Sequence, residues 1–589
     1  MKEQWYVTMK KADFGAIAER FGIDPVTARI IRNREIIGED AIAAYLSCSR
    51  EQLHDPHLLK DVDKGAEILA EKITQGKKIR VIGDYDIDGV NASYILLTGI
   101  RACGGKADHV IPDRVHDGYG MNERMIDRAL EDGIDTIITC DNGISAAPEI
   151  ASAKESGMTV IITDHHEVPF SVTENGEKTY HIPIADAVIN PKQEDCTYPY
   201  PGLCGAAVAW KFIQVLYEKT GIPIEQSFEM IAHVAFATVG DVMDLTGENR
   251  VIVKLGLEAV HRTDNPGLLA LIQQNDLERE QIKSWHFGFV LGPCINASGR
   301  LDTAKRSLKL LMEPSMERAS VYAKELVELN DRRKRLTLEG IEEAKRLILE
   351  QGIEKDKVMV VYLPQCHESL AGIIAGRIRE LYHKPVFVLT NAEDGGVKGS
   401  GRSIETYSMY EEMTKCSALM GKFGGHPMAA GLSMDRENVE QFRRDLNAYA
   451  SLTEEDFVEK IHIDVPMPLS YIRPQLIREF ECLEPYGKGN EKPVFAVQNV
   501  HPQRASVIGK NKNVLKFVLD DDAGGSVDAV YFGDIEAFLK FLQEKSSKQQ
   551  VDALMNGIPQ DIRFSITYDP SINSYLGQEK AQVIIRHYC

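Results

Sequence analysis

Three short apolar runs in the first third of the chain, each rich in β-branched residues, end in acidic or histidine positions. Residues 78–84 lead into Asp84-Tyr85-Asp86-Ile87-Asp88-Gly89, residues 135–141 into Asp141-Asn142-Gly143, and residues 159–164 into Asp164-His165-His166. A continuous apolar run of that length predicts a strand buried on both faces. Helix-like stretches at 91–103, 121–133 and 145–157 alternate with them. Strand and helix in alternation predict an α/β domain with a parallel sheet, and ligands gather outside the carboxyl ends of such strands. Residues spread over some eighty positions are therefore expected to meet at one edge.

Beyond residue 302 the pattern changes. Residues 303–352 are charge-rich, carry apolar residues at helical spacing and break around Pro314, which predicts a connecting helix with a solvated face. Strands at 358–362 and 385–390 flank a helix over 369–382, giving a second, smaller α/β unit. From about 461, short alternating runs recur at 461–465, 494–500, 504–508, 514–519, 526–531 and 562–568. That spacing predicts a small β-barrel. Residues 1–75 are mostly helical by pattern and are expected to pack on the first lobe. The expected layout is thus 1–75, 76–302, 303–352, 353–455 and 456–589.

The chemistry of the first edge follows from its ligand types. Clustered carboxylates repel unless a cation sits among them. Oxygen ligands with an imidazole suit Mg²⁺ or Mn²⁺, and the imidazole favours Mn²⁺. Two such ions about 3.5–4 Å apart can activate water and stabilise a leaving oxygen in phosphoryl transfer. One Asp alone could simply cap the helix after its strand; an Asp-x-Asp-x-Asp, a further Asp and a His-His at successive strand ends argue for a two-metal site.

Charge and composition narrow the partners. The net charge is −20, so a path for a polyanion has to be a local basic groove. No apolar run is long enough to span a membrane, and no apolar leader follows the polar start Met1-Lys2-Glu3-Gln4-Trp5. The ten cysteines show no paired metal-knuckle spacing, as expected of a reduced, cytoplasmic protein. A phosphate-binding Gly-x-x-x-x-Gly-Lys-Ser/Thr loop is missing as well, so ATP use is not expected.

Asp164-His165-His166 with Asp86-Ile87-Asp88 resembles the DHH phosphoesterase superfamily, and the fuller set of motifs resembles its RecJ family. The matching stretches are 83–89, Ile111-Pro112-Asp113-Arg114 with Gly118-Tyr119-Gly120, 163–166, 240–250, 291–301, 398–403 and 423–431. The segment around Gly424-Gly425-His426 and Ala429-Ala430-Gly431 is similar to a DHHA1 domain. Glu484-Pro485-Tyr486-Gly487-Lys488-Gly489-Asn490 resembles the entry to an OB-fold domain. The resemblance implies a metal-dependent 5′→3′ exonuclease specific for single-stranded DNA, acting in DNA repair and recombination, with two divalent ions, Mn²⁺ favoured over Mg²⁺. Single-stranded DNA with a 5′ end, a helicase and a single-strand-binding protein are the implied partners, and a monomer is expected.

Carried over residue by residue, Asp86 would hold one metal and Asp88 the other, Asp141 would bridge them, and His165 with Asp241 would complete the shell. Asp84 would be an additional ligand or a support, His166 a phosphate contact or a support, and Asp164 would orient an imidazole. Arg114, Arg300, Arg402 and Ser400 would hold the 5′-terminal phosphate, and His426 would donate to a phosphate near the metals. His367 reads equally as a helix cap or a substrate contact. In the barrel, Arg504, Lys510, Lys512 and Lys516 form a basic run, and Phe517, Tyr531 and Phe532 are candidates for base stacking. Cys294 departs from the family, standing where an arginine is expected; if that arginine holds DNA, affinity would fall. Two other classes remain open: another DHH enzyme acting on short RNA, cyclic dinucleotides or pyrophosphate, and a non-catalytic DNA-replication scaffold.

Overall fold

The acid-tipped runs form the centre of a five-stranded, all-parallel sheet in a computed structural model that describes residues 3–114, 116–118, 120–173, 176–392, 395–575 and 577–589. Its strands are β1 (Lys78–Ile82), β2 (Lys106–Val110), β3 (Thr136–Cys140), β4 (Thr159–Thr163) and β5 (Ala187–Ile189), in spatial order β2-β1-β3-β4-β5. β3 is buried at every position, which explains why its sequence is uniformly apolar or threonine rather than alternating. Helix α1 (Ile87–Ala102) leaves the end of β1 and packs against α2 (Gly205–Thr220) and α3 (Ile231–Gly240). Nearly all of α2 is buried, including Lys211. That ammonium is satisfied by the Glu248 carboxylate at 2.7 Å and the His54 carbonyl at 2.5 Å, while Tyr198 donates to the second Glu248 oxygen at 2.6 Å. A buried ion pair persists only when its remaining hydrogen-bonding capacity is filled in this way.

α4 (Gly292–Leu301) and α5 (Lys305–Leu311) lead to α6 (Met316–Glu350), and Pro314 lies in the gap between the last two. The single 35-residue helix α6 is the connecting element expected from the charge pattern. It leads to a mixed sheet of β6 (Met359–Tyr362), β7 (Val386–Asn391), β8 (Val397–Arg402), β9 (Met420–His426) and β10 (Ala429–Met434), ordered β9-β10-β8-β7-β6. Helix α7 (Ala371–Tyr382) covers β7 and β8. These two lobes form one compact unit, comprising residues 49–458 with 487–489.

The second compact unit contains residues 459–486, 490–589 and, contrary to the expectation for the amino end, the described residues up to Cys48. Glu3–Val7 is a strand pairing in parallel with Glu459–Ile463. Ile30, Ile31 and Ile42 share a core with Phe495, Phe517 and Tyr568. The apolar faces of the first helices are thus buried here, and only residues from Ser49 onward belong with the first lobe.

The barrel consists of β11 (Val465–Pro466), β12 (Phe495–Ile508), β13 (Val514–Asp520), β14 (Ser526–Tyr531), β15 (Phe564–Tyr575) and β16 (Gln578–Tyr588). It closes through pairing of β12 with β15. The runs at 494–500 and 504–508 are one strand rather than two: a register shift between Pro502 and Arg504 lets it bend without breaking.

Phe517 is no stacking platform. It is fully buried against Phe538 and Phe564. Tyr531 packs edge-on against Phe538 and Tyr588; of the three aromatic candidates only Phe532 is exposed, at 60%. Lys516 pairs with Asp528 at 2.8 Å. Replacing Phe517 with Ala is expected to destabilise the barrel by about 3–5 kcal/mol, measured as an earlier urea transition. Loss of DNA binding with an unchanged transition would restore the stacking role.

Candidate metal centre and phosphate site

Each sequence-marked acid leaves its strand as part of a tight turn, and the turns supply the geometry. Asp86 caps α1, its Oδ1 accepting from the Asp88 and Gly89 amides at 2.9 and 3.1 Å. This is ordinary N-capping; it occupies one oxygen and leaves the other for a ligand. Asp88 is buried, with its two oxygens accepting from the Gly205 and Ala206 amides at 2.6 and 2.8 Å, at the start of α2. A carboxylate at a helix N-terminus is favoured by the unpaired amides and the helix dipole. A Cβ on Gly205 would lie 2.7 Å from that of Asp141, so only glycine lets α2 approach both acids.

Asp141 and the residue after Asp241 are held in strained backbone. Asp141 has φ 60° and Val242 φ 57°, the latter a left-handed conformation that a β-branched residue adopts at a cost of about 1–3 kcal/mol. Such strain persists where surrounding contacts fix the chain, and here it turns the carboxylates of β3 and α3 toward one point.

The sites converge as two triads. Asp84, Asp86 and Asp141 bring ligand atoms within 4.8 Å of one another, and so do Asp88, His165 and Asp241. His165 Nε2 lies 3.0 Å from Asp141 and 3.5 Å from Asp88, joining the two groups. Asp164 sits outside them. Its Oδ1 accepts from the His165 and His166 amides and meets His166 Nδ1 at 2.8 Å, while Oδ2 accepts from the Ile144 amide. It therefore orients His166 through Nδ1, leaving Nε2 as the ring nitrogen on the far edge. His166 also groups with Asp141 and His165, so both readings of it stay in play.

Electrostatics test whether cations suit the cluster. Burial, reinforced by the neighbouring Asp86 charge, raises Asp84 well above the usual carboxylate range. Burial and then Asp88 do the same to Asp141 and to Asp241. Burial holds His165 below its ordinary value, keeping a neutral imidazole suited to ligation. Burial opposes protonation of His166, yet the Asp164 hydrogen bond and charge outweigh it and push that ring up to about 9. Asp84 Oδ1 and His165 Nδ1 are buried without hydrogen-bond partners among the described residues. Repelling oxygens, a neutral imidazole and an orphaned carboxylate oxygen together fit a pair of hard divalent cations.

A cationic pocket belongs to the same unit. The Arg114 guanidinium lies over the Tyr85 ring at 4.8 Å, next to the metal-site acids. Arg300 donates to the Ser369 carbonyl at 2.8 Å, and Ser369 returns a bond to the Arg300 carbonyl at 2.9 Å, so α4 and the start of α7 hold one another. Arg402 and Ser400 face the first turn of α7: a Cβ on Gly372 would meet Arg402 Nη2 at 2.8 Å and Ser400 Oγ at 3.2 Å. Burial, then repulsion from Arg114 and Arg333, brings Arg300 down to about 9. Burial and Arg114 also lower Arg402. Mutually repelling guanidiniums near a helix N-terminus are an arrangement suited to an anion.

Other sequence candidates separate from this cluster. His426 is exposed at the end of β9 opposite Ala429, with no hydrogen bond to the acids among the described residues. His367 caps, with Nδ1 accepting from the Ser369 amide at 3.3 Å and meeting its hydroxyl at 2.8 Å. Cys294 is fully buried beside Asn275 and Asn330, as a packing residue within the lobe. Tyr119 lies outside the described residues. Sequence reasoning missed Asn296, whose Oδ1 accepts from the Ile87 amide at 2.8 Å and so fixes the Asp86–Asp88 loop. It also missed the Gly205 and Ala206 amides, for which the small-residue run Gly205-Ala206-Ala207 was the only signal.

Residues 78–238 match the DHH family N-terminal domain, 355–452 the DHHA1 domain and 463–587 the RecJ OB domain. The single-stranded-DNA-specific exonuclease RecJ of Bacillus subtilis (strain 168) is 32% identical over 589 residues, spanning 99% of this chain and 70% of that protein. The Escherichia coli protein of the same description is 34% identical over 406 residues, 66% of this chain and 68% of that one. The crystal structure of RecJ with Mn²⁺ from Thermus thermophilus superposes with a TM-score of 0.80 at 27% identity, covering all of this chain and 80% of that one.

The carboxylate repulsion has a measurable sign. Asp84, Asp141 and Asp241 are raised in the folded state, so their contribution to stability is present below about pH 4, the ordinary carboxylate value, and is lost as pH rises through the folded values. In EDTA, Asp141→Asn is expected to melt higher than the parent protein, by a margin that widens from pH 5 to pH 8. Added Mn²⁺ should raise the parent melting temperature more than the variant's. A margin independent of pH would contradict the charge account.

Proposed function

The chain belongs to the RecJ family of single-stranded-DNA-specific exonucleases, and on that premise we propose that it hydrolyses single-stranded DNA from the 5′ end, in DNA repair and recombination in the cytoplasm. The observation that carries this reading is the placement of two carboxylate-rich triads in the same unit as a three-arginine pocket. Asp84, Asp86 and Asp141 would hold one divalent cation and Asp88, His165 and Asp241 the other, with Asp141 between them. When bound, Mn²⁺ or Mg²⁺ ions would supply Lewis acidity toward a phosphodiester and a water.

The chain's own residues do the positioning. Arg114, Arg300 and Arg402, with Ser400, grip a terminal 5′ phosphate, which fixes the next phosphodiester against the acids and so sets polarity. His166, held through Nδ1 by Asp164 and charged at neutral pH, offers Nε2–H to a phosphate oxygen. The buried acids and the Asn296 bond to the Ile87 amide hold the loop without rearrangement when substrate arrives. The barrel would carry the trailing strand along Arg504, Lys510 and Lys512, which are exposed. No helix among the described residues is long and apolar enough to cross a membrane. A helicase would supply the single strand, and a single-strand-binding protein would accompany it.

Single-stranded DNA labelled in turn at each end, incubated with Mn²⁺ beside a matched duplex and RNA, is expected to release mononucleotides from the 5′ end and to spare the duplex. Asp141→Ala should lower the rate by at least about 10³-fold, the scale on which losing a main transition-state charge stabiliser is felt, while DNA binding persists. Arg402→Ala should cost about 10- to 100-fold in kcat/KM on 5′-phosphorylated strands and much less on 5′-hydroxyl strands. Selective digestion of dinucleotides or short RNA would move the assignment to another DHH phosphoesterase.

A further inference from the structure

A second cationic site lies at the far end of α1 from the metal acids. The cleft there has a volume of about 340 Å³ and is lined by Leu97, Arg101, His109, Lys305, Leu308, Lys309, Met312 and Glu313. Leu97 and Leu308 are fully buried, whereas Arg101, His109, Lys305 and Lys309 are exposed. α1 starts at the metal acids and runs 16 residues to Ala102. At 1.5 Å per residue, Arg101 is about 20 Å along the helix from Asp88. The cleft is therefore separate from the metal centre.

Its charge is uncompensated in a protein of net charge −20. Glu313 is already held by Arg318, at 3.0 and 2.7 Å, and by the Ser315 amide at 2.9 Å. Asp108, next to His109, takes both of its bonds from Arg80, at 2.8 and 2.7 Å, and alternation along β2 points it to the opposite face. Arg101 spends one donor on the Ala107 carbonyl at 3.0 Å, leaving the rest of its fork. Lys309 lies 4.3 Å over the Tyr322 ring, a contact that fixes its direction without neutralising it. Lys305 Nζ has no carboxylate or hydrogen-bond partner among the described residues.

Cations beside the half-buried Met312 match a ligand with an anionic end and an adjoining, weakly polar body. We propose that this cleft binds a nucleoside 5′-monophosphate, its phosphate among Arg101, Lys305 and Lys309 and its base against Met312 and the aliphatic stems of those cations. The volume is in the range of small-ligand pockets. Guanidinium and ammonium groups are the usual phosphate partners, and an adaptable methionine side chain accepts any base. That such a nucleotide is the product of the chain's own reaction rests on the exonuclease reading; the binding does not.

Equilibrium dialysis of the full-length, Mn²⁺-loaded protein against labelled deoxyadenosine 5′-monophosphate tests the site. The double variant Arg101→Ala/Lys309→Ala is expected to lose one bound equivalent, or to bind it at least about tenfold more weakly, while its exonuclease rate stays within about twofold of the parent. Arg402→Ala should retain that equivalent. Excess inorganic phosphate should displace it. Equal binding by parent and double variant would overturn the proposal. An unchanged thermal melt of the double variant excludes misfolding. Because binding needs no hydrolysis, a negative result here leaves the exonuclease assay untouched, and the reverse also holds.

Discussion

Repulsion among buried carboxylates is the constraint around which the first lobe is organised. Asp84, Asp88 and Asp141 are almost entirely removed from water at adjoining strand ends, where like charges cannot all be ionised without a counter-ion. The fold offsets part of this with backbone amides: the start of α2 for Asp88, the start of α1 for Asp86, and the turn after β3 for Asp164. The remainder is left for cations. A parallel sheet suits the task because it delivers several strand ends, and the helix N-termini that follow them, to the same edge.

The three-arginine cluster is the electrostatic counterpart. Arg300 and Arg402, whose proton affinity burial and the Arg114 charge lower, sit in the same unit as acids whose proton affinity burial and mutual repulsion raise. Each cluster is unfavourable alone, and a phosphate bridging cations on one side and metals on the other would relieve both. Net charge does not report this, since a chain of −20 can carry a strongly positive recess.

What the sequence made legible was local. An apolar run followed at once by acids marks a strand and its tip, and β1, β3 and β4 appeared within two residues of expectation. The helix cap at His367 and the break at Pro314 were equally local. Long-range relations were not: nothing in the first helices announces that Ile30 and Ile42 pack with Phe495, or that Asn296 reaches the Ile87 amide. Phe517 is a different case, because its signal was present and under-used. In Leu515-Lys516-Phe517-Val518-Leu519 the outward Lys516 already places Phe517 inward with Leu515 and Leu519, as burial along β13 shows.

One short helix has a bearing on how the chain can vary. On α4, Asn296 and Arg300 stand one turn apart, the first tied to the metal loop and the second to Ser369 of the other lobe. A residue inserted or deleted between them would rotate one anchor by about 100° relative to the other, so neither end could be kept without losing its mate. Length changes between relatives should accordingly collect elsewhere, as in the exposed hairpin of Phe170–Val172 and Lys178–Tyr180, and this ten-residue span should keep its spacing however far its sequence drifts.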